Sequence, residues 1–247
     1  MKMELTYDNI QREAEAFAQH YRKRHHLPAL PAAHDVQRYR DLLYSKFGLV
    51  VDLIKRRLSQ VDSEGGHGFD HLEDVATRAG YIAENECRRL KITGKSMVIE
   101  RAVLAGVLHD VERHLGFEDN HMIEGEKTTR RILHQAGFMD DTVATVVRNH
   151  DYTDFDPGED KILSIVFGSV FDADHFRYGL EREDTFWRMK EKRGKSAADV
   201  IHDYQWLYLY RNAWRTEYGK SVGPEFIDFG IAIAKHIEEI FSSASSP

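Results

Sequence analysis

The sequence predicts an all-α fold, on three observations. Apolar residues recur at three- and four-residue spacing along most of the chain. The breaks between these stretches carry residues that start and stop helices. The one stretch with strand-like β-branched content, "DKILSIVFGSVFDADHF", has no neighbour to pair with and reads as a helix.

In chain order, Asp35 is placed to cap a helix carrying Val36, Tyr39, Leu42 and Leu43. A second apolar set follows at Leu49, Val50, Leu53, Ile54 and Leu58. The segment "SEGGHGFDH" interrupts the pattern with Gly65, Gly66 and Gly68, and a new helix begins near Asp70 with Leu72, Val75, Ala76, Ala79 and Ile82 on one face. Ser96 to Val111 is apolar on nearly all sides, as a central helix would be. "EGEKTTRRILHQAGF" ends in Gly137, a C-terminal cap signal. Asp140 to Asn149 is short and amphipathic through Val143, Val146 and Val147. Glu181 to Ser196 is charged and reads as exposed, its basic run from Lys190 to Lys195 a solvated face. "YQWLYLYRNAW" (Tyr204 to Trp214) has a helical spacing of aromatics that suits core packing over base stacking. Pro224 after Gly223 is placed to open a last helix with Ile227, Ile231, Ala234 and Ile237 aligned, and "SSASSP" is a frayed tail. With no repeat and no linker, the expectation is a single domain over residues 1–247.

Composition narrows the function. With 247 residues, 30% charged and 42% hydrophobic, the balance is that of a globular chain. No apolar run is long enough to span a bilayer, and no export signal opens the chain. Its single cysteine, Cys87, excludes an internal disulfide and a thiolate-rich zinc site, and fits a reducing cytoplasm. A net charge of −7 disfavours general nucleic-acid binding. The fourteen histidines are the one compositional lead.

The histidines that matter stand beside acids in apolar sequence. "VLAGVLHDVER" ends a buried-looking helix with His109-Asp110. His71 follows the glycine break, His150-Asp151 ends another helix, and Asp172 and Asp174 lie in "FDADHF". Buried charges pair, neutralise or bind metal. Neutral imidazoles with carboxylates suit Mn²⁺, Fe²⁺, Co²⁺, Ni²⁺ or Zn²⁺.

This ordered set resembles the HD-domain superfamily of metal-dependent phosphohydrolases, whose pattern is H…HD…D. "GFDHLEDVATRA" is similar to the first-histidine segment, "AGVLHDVER" to the HD segment and "VFDADHFRYG" to the last-aspartate segment. The likeness spans roughly Gly66 to Tyr178, giving an HD core at 66–178 with helical extensions at 1–65 and 179–247. By position it implies His71, His109, Asp110 and Asp174 as metal ligands, with Asp172 supporting them from behind. "NHMIEGEKTTRRIL" and "VVRNHD" resemble segments that hold a second metal in dinuclear relatives, with matches at His121 and His150. One or two ions are therefore expected, and if both histidines face the core, Asp110 would bridge.

The resemblance implies a phosphohydrolase acting on a nucleotide or other small phosphorylated metabolite through metal-activated water. Asp110 and Arg113 are the catalytic candidates. Arg113 stands where many members carry lysine, which keeps a cation near phosphate but removes a ready proton donor. His67, Arg177 and Tyr178 are candidate substrate contacts. Two other readings follow from the same resemblance: a di-iron oxygenase on the same six ligands, and a non-catalytic sensing module.

Overall fold

The computed structural model describes residues 4–59, 68–113 and 120–242. The chain runs through α1 (Tyr7–Arg24), α2 (Ala33–Leu58), α3 (Phe69–Arg89), α4 (Lys95–Leu108), α5 (His121–Gln135), α6 (Asp141–Asn149), α7 (Lys161–His175), α8 (Arg177–Leu180), α9 (Thr185–Lys192), α10 (Ala197–Val200), α11 (Leu207–Tyr210) and α12 (Glu217–Ser242). A 3₁₀ turn, Glu181–Glu183, lies between α8 and α9. Among the described residues there is no strand, so the fold is all-α. None of these helices is long and apolar enough to cross a membrane. Packing divides the chain into two compact units, one of Leu30–Asp174 with Arg215–Gly219, the other of Met1–Ala29, His175–Trp214 and Lys220–Pro247.

In the first of these units, α4 is the central element. Val98, Ala102, Val103, Ala105, Val107 and Leu108 are all fully buried. A fully buried Val or Leu stabilises by roughly 1.5–3 kcal/mol, so this helix is anchored by its own apolar surface. Its tightest neighbour is α3. At Gly106 an added Cβ would stand 2.6 Å from the Ala76 Cα, so the two backbones touch where a side chain would separate them. Tyr39, Leu43, Val50 and Ile54 of α2 complete that side of the core, and Val143, Val146 and Val147 of α6 bury the predicted face. Gly137 follows α5 at φ +77°, as the cap signal predicts.

The other unit closes around Ile10, Ala14 and Ala18 of α1, Phe186 and Trp187 of α9, and Phe229, Ile233, Ile237 and Phe241 of α12.

Several expectations change. Asp35 is not the N-cap of α2 but sits three residues inside it, where its carboxylate accepts the Ala32 N–H at 2.9 Å. The two apolar sets of residues 36–58 lie on either side of a kink at Phe47, where the backbone leaves helical geometry, and Leu49 is exposed. Pro224 lies inside α12 instead of opening it. The helix starts earlier because Thr216 caps it, its Oγ1 accepting the Gly219 N–H at 2.9 Å. The charged stretch Glu181 to Ser196 is not uniformly exposed, since Arg182 and Trp187 are fully buried. The Arg182 guanidinium lies 3.4 Å over the Phe186 ring, and the aromatic face offsets part of its burial. Tyr204 to Trp214 is mostly turns around the short α11. Tyr204, Leu207 and Trp214 are buried there, while Tyr208 and Leu209 point outward.

Candidate metal centre

Helix ends build the site. His71 lies in the first turn of α3, whose cap is Gly68. His109 and Asp110 occupy the turn just past α4, not its last residues. His121 is the first residue of α5, His150 caps the end of α6, and Asp174 is the penultimate residue of α7. His109, Asp110 and His150 are fully buried, and Asp174 and His121 nearly so.

The ring orientations are fixed by the backbone. His109 Nδ1 donates to the Gly106 carbonyl at 2.7 Å, and His150 Nδ1 to the Val147 carbonyl at 2.8 Å. Each neutral ring then carries its lone pair on Nε2, turned into the cluster. His71 Nε2 stands 3.3 Å from His109 Nε2, and Asp174 Oδ1 stands 3.3 Å from the first and 3.4 Å from the second. His150 Nε2 is 3.2 Å and His121 Nε2 3.7 Å from Asp110 Oδ1, while Asp110 Oδ2 is 3.7 Å from His109 Nε2.

Lone pairs of nitrogen and carboxylate oxygen repel at these separations unless a positive charge lies between them. A proton is one solution. Burial works to lower the His150 pKa, but the hydrogen bond with Asp110 and the negative charges of Asp110 and Asp151 together outweigh it, and the net direction is upward. A metal ion is the other. Donors around one ion with bonds of about 2.0–2.2 Å stand roughly 3.0–3.6 Å apart, and the His71–His109–Asp174 triangle has edges of that size. Among the described residues, His71–His109–Asp110, His109–His150–Asp174 and Asp110–His121–His150 are also compact enough to hold an ion. The cluster can therefore hold a metal ion.

The remaining candidates are placed as follows. Arg113 reaches the cluster, with Nε 3.2 Å from Asp110 Oδ1 and Nη2 2.7 Å from His121 Nε2. Asp172 turns elsewhere, accepting the Arg215 N–H at 2.9 Å and the Thr216 N–H at 2.8 Å. Two residues along a helix are about 200° apart, which is why the two aspartates of "DAD" serve different partners. Arg177 and Tyr178 belong to the other compact unit. Arg177 is buried there, and Tyr178 packs edge-on to His175, Trp206 and Tyr210. His67 lies outside the described residues.

One contributor is not among the candidate site residues of the sequence. Asp151, named there only as the neighbour of His150, accepts from Arg113 Nη2 at 3.2 Å. Its signal was the repeated His-Asp pair of "LHD" and "NHD", the second acid partnering the Arg113 cation. No protein-family model matches the chain, and no curated protein or solved structure matches it.

Proposed function

We propose that the chain is a metal-dependent phosphohydrolase of the HD type, acting on a nucleotide or another small phosphorylated metabolite. One observation carries the reading: donors from three separate helix ends, His71, His109 and Asp174, stand 3.3–3.4 Å apart, the spacing of a coordination shell. The order of the residues supports it, since H…HD…D resembles that superfamily. A divalent transition ion (Mn, Fe, Co, Ni or Zn) supplies acidified water and neutralises phosphate charge.

The chain's own side chains do the positioning. The Gly106 and Val147 carbonyls hold the His109 and His150 rings in one tautomer. Asp110 stands between His109 on one oxygen and His150 and Arg113 on the other, where it can orient or take up a proton. Arg113, with its side chain 15% exposed, sets a permanent cation at the edge of the cluster within reach of a phosphate oxygen.

The test is phosphate release from p-nitrophenyl phosphate and from nucleoside mono-, di- and triphosphates. The full chain is stripped with a chelator and reloaded with each ion in turn. Release that depends on the ion and is lost in Asp174→Ala is expected. No release with any ion, or release indifferent to chelator and to Asp174→Ala, would reject the reading.

A further inference from the structure

Arg113 does more than border the cluster. A guanidinium carries five N–H donors and no acceptor, and it stays charged. At 2.7 Å from Arg113 Nη2, His121 Nε2 must therefore be the acceptor, with its lone pair on the guanidinium. That lone pair is the one His121 would give to an ion. The same guanidinium lies 3.2 Å from Asp110 Oδ1 through Nε, and its Nη2, the atom that meets His121, also donates to Asp151 Oδ2 at 3.2 Å. Of the donor group Asp110–His121–His150, two members already face this cation. The two donor groups containing His109 meet the other oxygen of Asp110, or Asp174 instead of Asp110.

We propose that Arg113 is the second cation of this site. Its guanidinium fills the place between Asp110 and His121, so the chain binds one divalent ion, on the His109 side. A second ion would have to displace the guanidinium from three partners, because cations at such separation repel strongly in a buried setting. Asp151 fixes the geometry by pairing with Arg113 Nη2. The inference rests on the metal-binding reading above.

The test counts ions, not turnover. The chelator-stripped full chain is titrated with Mn²⁺, and bound metal is measured by equilibrium dialysis and by electron paramagnetic resonance. Wild type saturates at one Mn²⁺ per chain, without the spin coupling of a close pair. Arg113→Ala saturates at two with coupling, as does Arg113→Met, which keeps the stem volume if the alanine variant does not fold. His121→Ala keeps one ion per chain, because His121 serves Arg113. Two ions in wild type, one in a folded Arg113 variant, or loss of the ion in His121→Ala would overturn the proposal. A wild-type chain that binds none overturns the metal reading itself and the proposal with it.

Discussion

Asp172→Ala separates the two aspartates of "DAD" by stability and metal content. The Asp172 carboxylate is buried and accepts hydrogen bonds from Arg215 N–H at 2.9 Å, Thr216 N–H at 2.8 Å and Thr216 Oγ–H at 2.6 Å. Thr216 in turn caps α12, and Glu86 Oε1 accepts the Glu217 N–H at 3.1 Å. The first turn of α12 is thus held by acids from α7 and α3. Removing Asp172 leaves two backbone donors without this acceptor, at about 1–3 kcal/mol each. The lost negative charge at a helix start adds about 0.3–1 kcal/mol. The expected destabilisation is about 2–7 kcal/mol, a large share of a domain's usual 5–15 kcal/mol. Urea unfolding followed by circular dichroism measures it as a fall in midpoint, and the metal content of the folded variant should match wild type. A loss under about 1 kcal/mol would refute the hydrogen-bond reasoning. An intact midpoint with lost metal would place Asp172, not Asp174, in the metal centre.

Gly106→Ala sets a Cβ 2.6 Å from the Ala76 Cα and 2.9 Å from its nitrogen, where neither backbone can yield. The helices carrying His71 and His109 separate, so stability falls by about 1–3 kcal/mol or more and metal affinity falls with it. Unchanged melting and affinity would show that the α3–α4 approach does not set the site. His109→Ala should lose metal and activity yet keep its helix, because α4 is anchored by its apolar residues. Complete loss of helical circular dichroism would make the site structural. In the other unit, burial lowers the His236 pKa below its ordinary 6.5, against the opposing pull of Glu13 and Glu239, and its ring stacks on Phe17 at 4.3 Å. As pH falls, the unfolded chain then takes up this proton first. The stability is present above about pH 6.5 and is lost as pH falls through 6.5 toward the folded value. His236→Phe should flatten the slope of unfolding free energy between about pH 7 and 5.5, and an unchanged slope would assign that dependence to other groups.

The helical fold was legible because its signals were local. The all-apolar run before His109 could only be a buried helix, and the absence of a strand partner decided α7. What failed depended on distant partners. Pro224 looked like a helix start because the real start, Thr216, draws its strength from Asp172 and Glu86, far away in sequence. Asp35 looked like a cap because its acid does serve the helix start, but from inside the first turn. Glu181 to Ser196 looked exposed by charge, yet Arg182 is accommodated by aromatic faces that spacing does not reveal. Within the site, the residue types and their order were legible. The convergence of helix ends was not, nor was the reach of Arg113 to His121 and Asp151.

The most direct test of the metal centre is an anomalous-scattering measurement on crystals of the chain purified without added metal, with the energy scanned across the transition-metal edges. The predicted result is a peak bounded by His71 Nε2, His109 Nε2 and Asp174 Oδ1, with an element of the Mn-to-Zn series assigned by its edge. The three side chains converging as they do here, with no anomalous peak among them and none restored by soaking in Mn²⁺ or Zn²⁺, would contradict it.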